Sequence, residues 1–254
     1  MPRYFLEFAY KGTHFKGLQA QPQQMTIQGE IENALSILTK NNIKATLSSR
    51  TDAGVHAHQN FLHFDTNFIF TDSFLYNLNS ILHSDIFIRN IYQVNHSAHS
   101  RFDATERNYS YHIIQNKNPF LKDIAYYYPF KIDIKKMNQA ACHLLAHKSY
   151  QVFSKKHTDV KTFLCSISNA FFETNQQEII FHISSNRFLR GMVRGIVGTL
   201  LQVGRGNISV SQFQEIIQSD DNAHADFSAP ALGLFLEKVI YPTQMLSNKI
   251  QSIE

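Results

Sequence analysis

Tryptophan is absent from this 254-residue chain, and it contains only two cysteines, six prolines and ten glycines. Cys142 and Cys165 make no metal-ligand spacing and no disulfide framework, so a reducing setting is expected. No run of about 20 residues is apolar and uncharged enough to cross a bilayer as a helix. Met1-Pro2-Arg3 leads straight into the alternating Tyr4-Phe5-Leu6-Glu7-Phe8, with none of the regions of a secretory leader. The expected location is the cytoplasm, with no membrane partner. No glycine-rich loop follows a strand: Gly204-Arg205-Gly206 follows a helical stretch and reads as its C-terminal stop. ATP and dinucleotide chemistry therefore lack support, and without a Gly-x-Ser-x-Gly elbow so does a Ser-His-Asp hydrolase.

Charge is also sparse, at 17% of residues and a formal net +4. Its distribution is more telling than its sum. Residues 1–103 balance 8 Lys/Arg against 8 Asp/Glu, whereas residues 104–254 carry 16 against 12. Between Glu178 and Glu215 there is no acidic residue, while Arg187, Arg190, Arg194 and Arg205 all fall there. A local cationic surface suits a phosphate-bearing partner; a solvated basic face that binds nothing satisfies the same pattern.

Hydrophobic periodicity divides the chain into two similar halves. Arg3–Tyr10 alternates as a strand, and residues 26–40 place Ile27, Ile31, Ala34, Leu35 and Leu38 at helical spacing behind a Thr26 cap. Strands are predicted over 43–49, 59–65 and 85–94, and a helix over 72–83. The order β-α-β-β-α-β is the split-βαβ, ferredoxin-like unit. The second half repeats the plan, with strands over 107–115, 162–173, 178–184 and 232–241 and helices over 133–147, 188–203 and 210–219. A polar turn, Thr174-Asn175-Gln176-Gln177, joins the middle strands. With no Pro/Gly/Ser-rich linker, the joint is placed near 96–106, giving domains 1–103 and 104–254. The expected class is α+β: two ferredoxin-like, RRM-like units with antiparallel-rich sheets, helices on one face and a central RNA-binding cleft.

Four patterns can carry chemistry. In Arg50-Thr51-Asp52-Ala53-Gly54-Val55-His56-Ala57, Asp-Ala-Gly is ordinary β-turn material. A carboxylate at the tip of a rigid hairpin with Arg50 in reach can equally be a nucleophile. Arg187, Arg190 and Arg194 are spaced to share one helix face, and Gly191, Gly195 and Gly198 recur at similar intervals. That costs helix propensity, which close approach of a backbone or ligand would offset; a helix–helix contact beside solvated arginines is the alternative. Tyr109 and Tyr111 share a strand face, where Tyr109 can stack on a nucleobase and Tyr111 is expected in the core. The pairs His56/His58 and His96/His99 lack the further ligands a zinc site needs, so no metal is expected.

These segments, together with Ala104-Thr105-Glu106-Arg107-Asn108-Tyr109-Ser110-Tyr111 and Ala231-Leu232-Gly233-Leu234-Phe235-Leu236, closely resemble the bacterial tRNA pseudouridine synthase A family over nearly the whole chain. The octapeptide at 50–57 matches the family's catalytic signature. The resemblance implies isomerisation of uridine to pseudouridine at nucleotides 38, 39 and 40 of the tRNA anticodon stem-loop, by a homodimer without metal or small-molecule cofactor. It also implies that Asp52 is the nucleophile, attacking C6 of the base or C1′ of the sugar. Arg50 would fill the space left by the flipped base and keep Asp52 ionised. Tyr109 would stack on the uracil, Arg194 would pair with Asp52, and Arg187, Arg190 and Arg205 would engage phosphates. Two departures concern the grip on tRNA: Gly17-Leu18-Gln19 stands where the family often has Gly-Trp-Gln, and Ser149-Tyr150-Gln151-Val152-Phe153 replaces an Asp-Phe-Thr-Ser-Phe segment. The rival readings are a pseudouridine synthase acting on another RNA, and a non-catalytic RNA-binding protein of the RRM kind, whose signature segments are missing.

Overall fold

The two periodicities of the sequence become strands and helices in the computed structural model, which describes residues 1–155, 160–175, 177–219 and 221–253. The elements run β1 (Arg3–Tyr10), α1 (Ile27–Thr39), β2 (Thr46–Leu47), β3 (His56–Asp65), α2 (Phe74–Ile81), β4 (Ile86–Val94), β5 (Glu106–Ile114) and β6 (Tyr126–Tyr127). They continue with α3 (Ile134–Ala146), β7 (Ile167–Thr174), β8 (Ile179–Ser185), α4 (Met192–Arg205), α5 (Val210–Gln218), β9 (Leu234–Ile240) and β10 (Lys249–Ser252). The protein is thus mixed α/β with mostly antiparallel strand pairing. Two compact units form: Met1–Thr105 with Leu236–Glu254, and Glu106–Phe235.

In the first unit the strands lie in the order β10-β4-β1-β3, with β2 added to β3. β1 runs antiparallel to both neighbours, so that Leu6 faces Leu62 on one side and Ile91 on the other. Phe5, Leu6 and Phe8 are fully buried, as expected of a central strand covered on both faces. α1 packs on α2 and α2 on β4. Thr26 caps α1 as its position foretold, its hydroxyl accepting from the Gly29 N–H at 3.3 Å. The carboxylate of Glu7 lies inside this core at 6% exposure. It accepts from Gln59 Nε2 at 2.7 Å, Asn90 Nδ2 at 2.6 Å and the Tyr92 hydroxyl at 2.9 Å, and these bonds offset its desolvation.

In the second unit the order is β5-β8-β7, with β6 parallel to β5. Tyr111 pairs with Phe181 in register and is fully buried. α3 packs on β7 and touches α4 and α5. Its Asn138 ties helix to strand, donating to the Phe172 carbonyl at 3.0 Å and accepting from the Phe172 N–H at 2.6 Å. Within the turn predicted at 174–177, Gln176 lies outside the described residues.

Two expectations change. The strand over 43–49 shrinks to β2, because α1 side chains take the backbone groups of residue 45: Gln28 donates to the Ala45 carbonyl at 2.9 Å and Glu32 accepts its N–H at 2.9 Å. The second unit is not 104–254, since the chain from Leu236 onward packs with the first unit. There the Tyr241 ring meets Phe5 and Phe61 edge-on at 5.4 and 5.1 Å, and its hydroxyl donates to the Ser100 carbonyl. β6 and β10 carry no sequence signal long enough to have been foreseen.

Candidate active site

Residues 50–57 form a turn that feeds directly into β3. The Val55 N–H donates to the Asp52 carbonyl at 3.2 Å, and Gly54 holds a φ of 81°, the pattern of a type II turn. Thr51 is fixed from the side, its hydroxyl 2.7 Å from that of Tyr10, while its carbonyl accepts from the Leu18 N–H at 3.3 Å. Burial pushes the Tyr10 phenol up to about 12, so it stays protonated as a neutral hydrogen-bonding group. Behind the turn, Gly12 presses on the loop so closely that a Cβ there would sit 2.0 Å from the Val55 carbonyl oxygen. The Gly12 N–H also donates to His56 Nδ1 at 3.1 Å. Asp52 is therefore half-buried on a loop braced from three sides, and Arg50 stands exposed at its entrance. The turn chemistry expected of Asp-Ala-Gly is realised.

The second unit supplies Tyr109 and the arginines. Tyr109 lies on β5 opposite Ile183, at 8% exposure, and Phe188 meets its ring edge-on at 5.1 Å. Arg194, in the first turn of α4, donates from Nε to the Ala229 carbonyl at 2.7 Å, and the Tyr111 hydroxyl donates to the next carbonyl, that of Pro230, at 2.7 Å. Arg194 and Tyr111 are thereby held to one short segment, and the cation's field opposes the rise that burial imposes on the Tyr111 phenol. Tyr111 is the core residue expected.

The shared helical face of Arg187, Arg190 and Arg194 is not formed. α4 begins only at Met192, after Gly191 at a φ of 76°. The Lys155 side chain fills the space there, 2.9 Å from where a Cβ would lie. Arg187 and Arg190 precede the helix. Arg187 lies near the buried Cys165, whose thiol burial pushes up to about 11 against the opposing pull of that cation. Arg190 is exposed, with its carbonyl taken by the Lys155 N–H at 3.0 Å. Arg205 closes α4 and lies over the Phe130 ring, 4.1 Å from its centroid. Inside the helix Gly198 meets backbone, where a Cβ would stand 2.2 Å from the Asp226 carbonyl oxygen, and Gly195 meets the Phe227 ring, 2.8 Å from where its Cβ would lie.

Leu18, in place of the family's Trp, is fully buried, and residues 151–153 form a buried 3-10 turn. A cluster that spacing could not disclose joins His14, His83 and Asp85, whose donor atoms all lie within 4.8 Å of one another. The 2.6 Å approach of His14 Nδ1 to Asp85 Oδ2 accounts for it as a side-chain hydrogen bond.

A family model described as tRNA pseudouridine synthase matches residues 140–242. The chain is 42% identical over 247 residues to tRNA pseudouridine synthase A of Parabacteroides distasonis, covering 96% of this chain and 98% of that protein. It is 40% identical over 250 residues to the protein of that name from Porphyromonas gingivalis (96% and 99% covered), and 36% identical over 244 residues to that from Anoxybacillus flavithermus (95% and 99%). The chain belongs to the tRNA pseudouridine synthase A family.

Proposed function

We propose that this chain is a cytoplasmic tRNA pseudouridine synthase, a homodimeric isomerase acting on uridines 38, 39 and 40 of the anticodon stem-loop. The observation that carries the reading is the half-buried Asp52 on a braced turn, in a chain alike over nearly its full length to proteins named for this reaction. The finer architecture proposed is a pair of split-βαβ units. Isomerisation breaks the N1–C1′ bond, turns the uracil and forms a C5–C1′ bond; the proton on C5 leaves and N1 gains one. A base inside a stem must leave the stack first, at a cost of a few kcal/mol.

Asp52 is the nucleophile, toward either C6 or C1′. The bracing by Tyr10, Gly12 and the 52–55 turn supports this role, since a preorganised nucleophile loses little freedom on reaction. Arg50, exposed at the loop entrance, takes the place of the extruded base. Tyr109, its ring orientation set by Phe188, stacks on the uracil. Arg194 serves as the cation paired with Asp52, while Arg187, Arg190 and Arg205 engage phosphates. No cofactor or metal has a part in these steps.

Asp52→Asn should lower pseudouridine formation by roughly four orders of magnitude, the scale on which removing a covalent-catalysis group acts, and leave tRNA affinity within about two-fold. Chemical labelling with primer extension on unmodified tRNA and on rRNA fragments checks both activity and substrate. Retained turnover in the variant removes the nucleophile assignment; modification of the rRNA fragments alone transfers the activity to another RNA.

A further inference from the structure

The loop between β4 and β5 presents an aromatic ring to solvent from a firmly tied base. Phe102 is 74% exposed. The His99 ring lies behind it, with centroids 4.2 Å apart and planes at 36°, and the Arg101 guanidinium stands 5.7 Å from the Phe102 centroid. The loop does not need Phe102 to hold its shape. The His99 N–H donates to Asp103 Oδ2 at 2.7 Å, the Asp103 N–H returns to the His99 carbonyl at 3.1 Å, and His99 Nδ1 accepts from the Arg101 N–H at 3.1 Å. Ser100 is fully buried beneath, its hydroxyl donating to the Thr46 carbonyl at 2.9 Å and its N–H to His63 Nδ1 at 3.2 Å. Burial holds the pKa of His99 below its usual value, so near neutral pH this ring is an uncharged aromatic support.

A large apolar ring kept in water by such bracing loses the burial it would gain elsewhere. An exposed ring with the Arg101 guanidinium over it is the chemistry that receives an unpaired nucleobase and the phosphate beside it. Paired bases hide their faces, so only a loop or extruded nucleotide fits. We propose that Phe102 and Arg101 form a stacking subsite for an unpaired nucleotide of tRNA; this rests on the tRNA reading above. Stacking tolerates every base, so the subsite adds affinity for all bound tRNAs rather than choosing among them.

The test measures binding of unmodified tRNA by fluorescence anisotropy, turnover at saturating tRNA, thermal midpoint and solution mass for the full chain and for Phe102→Ala, Phe102→Tyr and Arg101→Gln. Phe102→Ala should weaken binding roughly ten-fold with turnover at saturation and thermal midpoint unchanged, and Phe102→Tyr should restore it. Arg101→Gln should reduce the slope of log affinity against log salt by about one. Unchanged affinity in Phe102→Ala overturns the proposal, as does a change in solution mass with affinity intact, which would make the ring a protein contact. Asp52→Asn run in parallel separates the two readings: an inactive Asp52→Asn beside a Phe102→Ala of normal affinity removes the subsite alone, whereas an active Asp52→Asn removes the catalytic assignment and leaves the binding result standing.

Discussion

Residues 50–57 and residues 187–206 both rely on missing side chains, and to different ends. In the first unit Gly12 lets a 3-10 turn press on the Val55 carbonyl, and the beneficiary is a loop that holds Asp52. In the second, Gly198 lets α4 press on the Asp226 carbonyl, and the beneficiary is a packed helix. The turn glycine Gly54 leads directly into β3. Gly191, by contrast, delays the start of α4 and takes Arg187 and Arg190 off its face. Regular glycine spacing therefore says that close approaches exist. Which glycine sits inside a helix and which precedes it depends on what fills the space beside each, here the Lys155 side chain or the 226 backbone.

The sharpest way to break this comparison is to add one methyl group to each region. Gly12→Ala should lower turnover of the folded enzyme roughly 10²-fold by displacing the Asp52 loop, with about 2 kcal/mol lost in stability. Gly198→Ala should cost about the same stability and leave turnover of the folded molecules nearly intact. Steady-state kinetics beside urea unfolding measures both; equal losses of turnover would mean that the helix is as close to the chemistry as the loop.

A smaller effect distinguishes the frame behind the loop. His63, on the same strand as His56, has its pKa lowered to about 4, first by burial and then by the nearby Arg3 charge. Its folded value lies below its unfolded value of about 6.5, so the unfolded chain binds the proton more readily between the two. The stabilisation is complete above the unfolded value and is lost as pH falls toward the folded one, by roughly 2 kcal/mol between pH 6.5 and pH 5. Urea midpoints at several pH values should show this slope in the parent protein and a shallower one in His63→Gln. A further, still smaller effect concerns helix capping in the second unit. Asp133 accepts from the Lys136 N–H at 3.1 Å at the start of α3, and Asp133→Ala should cost about 1 kcal/mol by urea unfolding, with turnover unchanged.

Much of the fold was legible because the signals are local. Thr26 announced its helix through an oxygen placed before an apolar period, and β1 and β5 announced themselves by composition and alternation. The candidate site was legible in part. Asp52 stood out through its turn and its arginine, and Tyr109 through its strand. The anchoring of Arg194 at Ala229 and of Tyr111 at Pro230 joins residues far apart in the chain, which no spacing reports. Nor did spacing show the 43–49 strand losing its backbone partners to Gln28 and Glu32, or Phe102 standing exposed on a braced loop.

By itself, then, the order of residues determined the succession of elements, the turn that carries Asp52 and the family, because propensity, capping and motif are properties of neighbours in the chain. Tertiary structure decided where α4 begins, which unit claims the chain after Leu236, and which side chains are held by distant carbonyls. Those outcomes depend on which atoms fill the space next to a glycine, a tyrosine or an arginine, and those atoms come from residues remote in sequence.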